Sequence, residues 1–239
     1  TRNKINNFGG YGIYCYYSTS VATAGATLVA NNVVNGNSQG TSYPGYYGIY
    51  VYNPAANPTN VFNNTVVMSG AGTSTTYTCF YNATSTTTVV KNNIFIVNNG
   101  SYVPAYFAAN PTGNVVNYNQ YWNATNTTTG NLIYRGAFYN PTNYNTNTRG
   151  GDSSFNAAPT FVSATNLAIT NGCIRGVNTN GLVNNDINET PRANEPNLGA
   201  YEYQSVALDL QVEAMPYPTA PITLGAQDLA VRVRNNGGN

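Results

Sequence analysis

The sequence predicts an all-β protein whose main body is a parallel β-helix, a solenoid of short strands. One recurring pattern is an apolar pair, then Asn-Asn, then apolar alternation: KINNF at 4–8, LVANNVV at 28–34, NVFNNTVV at 60–67 and VVKNNIFIV at 89–97. A second pattern alternates with it: YGIYCYY at 11–17, YGIYVYN at 47–53 and TCFYN at 78–82. No stretch keeps the i, i+3, i+4, i+7 apolar spacing of an amphipathic helix. Two alternating strand patterns at a period of about 30 residues indicate stacked coils.

The asparagine pair predicts a corner of each coil. Counted from Asn7, the element advances to Asn32, Asn64 and Asn93, in steps of 25, 32 and 29 residues. A fainter copy, NVVNYNQYW, lies at 114–122. At a corner, an asparagine amide can bond to the same residue one coil away, about 4.7–4.9 Å along the axis. Asn also tolerates left-handed backbone. A β-sandwich is the main rival, but the Asn-Gly pairs are not spaced as hairpin turns.

Strand parity predicts which side chains face the core. In GIYVY, Ile49 and Val51 share one side while Tyr50 and Tyr52 share the other. Extending the parity to the other copies predicts these inward side chains: Ile13, Cys15, Ile49, Val51 and Phe80, with Val66, Ile94 and Phe95 as candidates on the neighbouring sheet. Aligning the third copy on its Tyr-Asn ending matches Phe80 with Val51 and turns Cys79 outward. Cys15 and Cys79 are then too far apart for a disulfide.

The segment 155–203 follows a change in composition near Gly150. It contains a long series of residues whose types and order form a recognisable motif. The residues are Pro159, Phe161, Val162, Cys173, Ile174, Gly176, Asp186, Ile187, Pro191, Arg192, Gly199, Ala200, Tyr201 and Glu202. This order resembles the closing segment of secreted bacterial β-helix proteins, which are right-handed and pectate-lyase-like. The match departs from the family at Asn171-Gly172, where Ser-Pro is usual, and at Arg175, where Asp is usual. The resemblance covers enzymes and non-catalytic surface proteins alike.

Residues 204–239 form a separate region, a linker and the first strands of a second module. Alternation in LDLQVEA and DLAVRVRN predicts two strands joined by a Pro-rich stretch. The residues Val231, Val233, Asn235 and Gly237 resemble a strand of the immunoglobulin-like sandwiches that follow β-helices in Bacteroidetes-type surface proteins. The resemblance implies export by the type IX secretion machinery. Because residues 4–8 already match a coil and the last strand lacks partners, we expect the chain to be part of a longer protein.

Composition argues against catalysis and charge-driven binding. All eight acidic residues lie from Asp152 onward, and the chain has no histidine. The coils therefore lack the usual groups for proton transfer and metal binding, and we expect no catalytic residue, metal or cofactor there. The acidic and basic residues after 185 predict a structural cap in which Arg192 pairs with a carboxylate. Net charge of +1 excludes a nucleic-acid footprint, and no apolar run of about 20 residues predicts a membrane span.

The exposed tyrosines are the candidate ligand-binding residues. They are Tyr14, Tyr16, Tyr50, Tyr52 and Tyr81. Aromatic side chains on one sheet face can stack on sugar rings and hydrogen-bond through their hydroxyls. We therefore expect a non-catalytic segment of a secreted or cell-surface protein that acts as an adhesin, a stalk or a module contacting a polysaccharide or cell-surface glycan. The alternative is a carbohydrate-active β-helix enzyme, a polysaccharide lyase or glycoside hydrolase, whose site lies outside the main coils or in missing sequence.

Overall fold

The computed structural model describes residues 1–16, 26–38, 46–52, 58–70, 77–83, 87–98, 102–108, 113–124, 131–139, 154–171, 174–203, 210–217 and 230–235. These residues form nineteen strands and contain no helix. No helix long and apolar enough to cross a membrane occurs among them. The predicted all-β class is confirmed.

Three parallel sheets build the solenoid. Sheet A contains β1 (Lys4–Asn6), β4 (Val33–Ser38), β7 (Thr65–Gly70), β10 (Ile94–Val97) and β13 (Gln120–Asn123). Sheet B contains β2 (Tyr11–Tyr16), β5 (Tyr47–Tyr52), β8 (Thr78–Asn82), β11 (Val103–Phe107) and β14 (Ile133–Arg135), with β15 (Phe138–Tyr139) antiparallel at its edge. Sheet C contains β3 (Thr27–Ala30), β6 (Thr59–Phe62), β9 (Thr88–Lys91) and β12 (Val115–Asn117). The chain passes from sheet C to A to B and returns, making about three turns between β3 and β12.

The core lies between the three sheets, and most of the predicted inward side chains face it. Ile49, Val51, Val66, Phe80 and Phe95 are fully buried in this core. Ile94 is also fully buried, but it packs on the outer face of sheet A against residues of the segment 154–203, because it directly precedes the inward Phe95 on the same strand. Ile13 and Cys15 pack against the same core but are only partly buried, because their strand β2 is at the edge of sheet B. The face assignment is therefore confirmed except at Ile94, which lies on the outer face of sheet A.

The predicted orientation of Cys79 is wrong. Phe80 pairs with Ile49 and Tyr81 with Tyr50, two residues earlier along β5 than the predicted alignment. Cys79 is fully buried and its Sγ–H donates to Ile96 O at 3.0 Å. Two consecutive residues, Cys79 and Phe80, face the core, so strict alternation breaks here. Cys15 and Cys79 are nevertheless free, as expected.

The break in alternation explains the glycine of the YGIY pattern. Gly48 occupies the position on β5 that lies beside Cys79 on β8. A Cβ on Gly48 would lie 2.3 Å from Val66 Cγ1 and 2.6 Å from Cys79 O. Both distances are shorter than real Cβ contacts, so a larger residue would push the strand away from the core.

An asparagine ladder runs through the coils at the corner that precedes sheet A. Asn3 Nδ2 donates to Asn32 Oδ1 at 2.9 Å, and Asn32 Nδ2 donates to Asn64 Oδ1 at 2.8 Å. Asn64 and Asn93 continue the series to Asn119 at 2.9 Å each. The prediction that these amides bond from coil to coil is confirmed. The first member is Asn3, not Asn7, so the steps are 29, 32, 29 and 26 residues.

The residue before each ladder asparagine turns the chain in left-handed backbone. The φ angle is between 53° and 59° at each of these positions, which are Arg2, Asn31, Asn63, Asn92 and Tyr118. Asn is among the few residues that adopt this conformation readily. The two asparagines of the pair therefore have separate tasks, since the first turns the corner and the second links the coils.

The segment 154–203 runs along the side of the solenoid. It contains the short antiparallel strands β16 (Thr160–Phe161) and β17 (Ile169–Asn171). Its apolar side chains pack on outward side chains of sheet A in one cluster: Val33, Val67, Ile94, Ile96, Leu167, Ile169, Ile187, Leu198 and Ala200. The segment thus covers a lateral face of the coils.

The first asparagine of each pair fastens this segment. Asn31 Nδ2 donates to Asn185 O at 2.6 Å, and Asn63 Nδ2 donates to Asn197 O at 3.2 Å. Asn92 makes the same contact one coil further on. The corner that stacks the coils therefore also docks the closing segment.

Residues 204–239 form a second unit, apart from the unit Thr1–Tyr203. Its described strands are β18 (Leu210–Tyr217) and β19 (Ala230–Asn235), which pair antiparallel. Gly237 of the predicted strand motif lies outside the described residues.

Candidate functional site

A column of tyrosines follows the outer face of sheet B, one ring per coil. Tyr14 and Tyr50 lie 5.3 Å apart between ring centroids. Tyr50 and Tyr81 stack at 5.2 Å, with 4° between their planes. The series continues from Tyr81 to Tyr106 at 5.1 Å and from Tyr106 to Tyr134 at 4.3 Å, both stacked. We call these five residues the tyrosine column.

Further rings flank the column at its β2 end. Tyr16 stacks on Tyr52 at 5.5 Å, and Tyr11 stacks on Tyr47 at 5.3 Å. Tyr47 also meets Tyr81 edge-on at 4.8 Å. The face is thus three rings wide across β2 and β5 and narrows to one ring across β11.

Exposure of these rings is graded. Tyr14 is 51% exposed and Tyr16 is 54% exposed, whereas Tyr50 and Tyr81 are half-buried by their neighbours. The structure therefore brings all five predicted tyrosines onto one continuous surface.

The strand spacing determines how the rings can touch. Parallel strands lie about 4.8 Å apart, which exceeds the ~3.5–4.0 Å contact distance of carbon atoms. Rings on adjacent strands therefore come into contact by leaning, and a leaning ring leaves part of its face uncovered. Each stacked pair adds about 0.5–1.5 kcal/mol beyond its area burial, so the column also stabilises the sheet.

Burial and neighbouring phenols raise the pKa of several hydroxyls in the column. Burial, followed by the neighbouring phenols Tyr11, Tyr81, Tyr14 and Tyr47, raises the pKa of Tyr50 to about 12. Burial is also the main cause that raises the pKa of Tyr14, Tyr81 and Tyr106. At neutral pH every one of these hydroxyls can both donate and accept a hydrogen bond.

Four further tyrosines of this face were not predicted from the sequence: Tyr11, Tyr47, Tyr106 and Tyr134. The last two lie in VPAYF and LIYRG, which lack the glycine of the YGIY pattern. The signal they share with the predicted tyrosines is an inward apolar residue directly before the ring. Ala105 precedes Tyr106 and Ile133 precedes Tyr134, and both are buried.

The charged residues of the closing segment form a buried network. Arg192 and Glu202 pair at 3.1 Å, with side chains only 2% and 3% exposed. Arg192 Nη2 also donates to Asn31 Oδ1 at 2.7 Å and to Gly199 O at 2.9 Å. Burial lowers the pKa of Arg192, and the adjacent Glu202 opposes that shift.

Both oxygens of the Asp186 carboxylate accept hydrogen bonds from backbone N–H groups. Its Oδ1 accepts from the N–H groups of Asn188 and Thr190 at 2.8 Å each. Its Oδ2 accepts from Glu202 N at 2.9 Å. The predicted structural pairing of Arg192 is confirmed, and the network fixes the closing segment.

Arg175 joins the edge of this network. Its Nη1 lies 3.3 Å from Glu202 Oε1 and 3.1 Å from Glu195 O. Glu189 pairs instead with Arg2 of the first coil, at 3.0 Å on the surface. These contacts bind the segment to itself and to the coils.

Within the described part of the chain, no group of three or more His, Cys, Asp or Glu side chains could hold a metal ion. Asp152, the carboxylate that the sequence places nearest to the coils, lies outside the described residues, as does Cys173.

Comparison with protein-family models, with curated proteins and with solved structures found no match for this chain.

Proposed function

We propose that this chain is a non-catalytic segment of a secreted or cell-surface protein, in which the tyrosine column contacts a glycan. The observation that carries the proposal is the unbroken series of rings on the outer face of sheet B, from Tyr14 to Tyr134. An exposed aromatic face on a chain with so few charges marks an interaction surface.

The chemistry of the column suits a polysaccharide. Uncovered parts of the leaning rings offer apolar area to the C–H faces of sugars, and the neutral hydroxyls hydrogen-bond to sugar hydroxyls. Because the rings repeat once per coil, a linear glycan lying along the solenoid axis would meet the same contact several times. A long module with repeated weak contacts fits the roles of adhesin, stalk or glycan-contact module.

The finer features of the architecture belong to the same proposal. A right-handed, pectate-lyase-like coil is favoured because parallel crossover connections are right-handed in about 98% of cases. Residues 204–239 would begin an immunoglobulin-like module, supported by the antiparallel pairing of β18 with β19. Export by a type IX pathway of Bacteroidetes-type bacteria, with the secretion machinery as a transient partner, rests on the resemblance of both C-terminal regions.

The test is a panel of insoluble neutral and acidic polysaccharides incubated with the purified chain. Protein retained on each polysaccharide is measured together with any release of reducing or unsaturated sugar ends. The proposal predicts retention without release. In a double variant, Tyr14→Ser with Tyr16→Ser, retention should fall several-fold because two exposed rings are lost. Tyr203→Ser removes another exposed tyrosine outside the column and should leave retention unchanged.

Two results would contradict the proposal. Time-dependent release of sugar ends would favour the alternative, a polysaccharide lyase or glycoside hydrolase. Retention that survives the double variant, or that falls equally in Tyr203→Ser, would locate binding away from the column.

A further inference from the structure

A cleft lies between sheet A and the closing segment, on a different face from the tyrosine column. Its volume is about 210 Å³. Its floor consists of outward side chains of sheet A, which are Asn35, Val67, Ser69, Ile96, Asn98 and Trp122. Its walls consist of residues of the closing segment, which are Ala158, Pro159, Phe161, Ala164 and Leu167.

Strand register explains why the floor is a continuous surface. Ile96 pairs with Val67 on one side and with Trp122 on the other, so the three side chains share the outer face of the sheet. Val67 and Ile96 are almost fully buried, whereas Trp122 keeps part of its surface open. The apolar floor therefore ends in one accessible indole ring.

Polar groups border this apolar floor. Asn98 is exposed, and its Nδ2 reaches Ser69 Oγ only at 3.5 Å. On the opposite side, Asn35 Nδ2 donates to Ala164 O at 2.9 Å and so holds the wall to the floor. Among the described residues that line the cleft, none is charged.

We propose that this cleft binds one neutral sugar residue. The partly open indole of Trp122 offers a flat apolar face, and the amide of Asn98 with the hydroxyl of Ser69 offers donors and acceptors beside it. A purely apolar occupant would make no use of that amide and hydroxyl. An anionic sugar would place its carboxylate in a site with no cation.

The size of the cleft limits the occupant to a single ring. A volume of about 210 Å³ lies below the ~300–1,000 Å³ of pockets that enclose drug-sized ligands. The occupant is therefore a free monosaccharide or the terminal residue of a longer glycan. This site is independent of the tyrosine column, and either can fail without the other.

Trp122 makes the test direct because it is the single tryptophan of the chain. Its fluorescence is recorded during titration with glucose, galactose, mannose, N-acetylglucosamine and galacturonate. The proposal predicts a saturable change in emission with at least one neutral sugar, with a dissociation constant in the millimolar range. Galacturonate should bind at least about tenfold more weakly than galactose, because its carboxylate is desolvated without a partner.

Variants locate the binding. Asn98→Ala should weaken binding about tenfold, and Ser69→Ala provides a second polar deletion if the first variant misfolds. The double variant Tyr14→Ser with Tyr16→Ser should leave the titration unchanged. Far-UV circular dichroism confirms that each variant keeps its strands.

The proposal is overturned if no neutral sugar produces a saturable change in Trp122 emission. It is also overturned if the change is the same in a folded Asn98→Ala variant. Saturation by toluene, a purely apolar probe, with no response to any sugar would show that the cleft is an apolar site and not a sugar site.

Discussion

Replacement of Asn64 by alanine should strongly destabilise the solenoid. Asn64 is fully buried in the middle of the ladder. Its Nδ2 donates to Asn93 Oδ1 and to Val29 O, both at 2.9 Å. Its Oδ1 accepts from the backbone N–H and from Nδ2 of Asn32, at 3.0 and 2.8 Å.

The magnitude follows from the groups that lose their partner. In Asn64→Ala, two buried donors of Asn32 lose their acceptor, and the carbonyls of Val29 and Phe62 each lose one donor. Each orphaned buried group costs about 1–3 kcal/mol. Because water can enter the vacated space and restore part of the bonding, the expected loss is about 3–6 kcal/mol. This is a large fraction of the stability of a typical domain.

The assay is urea unfolding followed by far-UV circular dichroism and by Trp122 fluorescence, since agreement of the two probes tests for a single transition. Asn98→Ala is the matched control, because this asparagine is exposed and contributes one long contact. The control should stay within about 0.5 kcal/mol of the parent chain. If Asn64→Ala were as mild as Asn98→Ala, the ladder would not hold the coils together.

Three further outcomes are expected. Arg192→Met removes the buried partner of the Glu202 carboxylate and should lower the free energy of unfolding by about 3–5 kcal/mol. Adding Glu202→Gln should recover part of this loss. If it recovered none, the pairing would be contradicted. Burial raises the pKa of the Cys79 thiol well above its usual value, so this thiol should resist a thiol reagent until the chain unfolds. The partly exposed Cys15 should react before Cys79. Peptide mapping of the labelled protein would show the order. The pKa of Tyr50 is about 12 when folded and about 10 when unfolded, so the folded state binds more protons in that interval. Stability should therefore fall as pH rises from about 10 towards about 12, and Tyr50→Phe should reduce this fall in urea midpoints.

The sequence predicts the solenoid well because its strongest constraint is local. The pair Asn-Asn serves two requirements that meet at one corner, a left-handed residue and a buried amide that bonds along the axis. The first coil departs from this pattern, because Arg2 and not an asparagine occupies the left-handed position at its corner. Asn7 is also left-handed, with a φ of 51°, but it is not the ladder residue. Hydrogen bonds to the next coil identify Asn3, and these bonds cannot be read from spacing alone.

The candidate surfaces were only partly predictable for a similar reason. Parity identifies five tyrosines of the outer face, but it assigns Cys79 wrongly because two consecutive residues face the core at this point. The cleft beside Trp122 depends on how the closing segment folds back on sheet A. That return brings Ala164 within 2.9 Å of Asn35, a contact over 129 residues that no local pattern encodes.

The central claim, that the tyrosine column contacts a glycan along the solenoid axis, is tested most directly by calorimetric titration with oligosaccharides of increasing length. The oligosaccharides are taken from a polysaccharide that retains the chain. Affinity should rise with each added sugar and level off once the oligosaccharide spans the column. Tyr106→Ser, in the middle of the narrow part, should shorten the length at which the plateau is reached. Affinity that is independent of length, or a plateau that Tyr106→Ser does not move, would contradict glycan binding along the column.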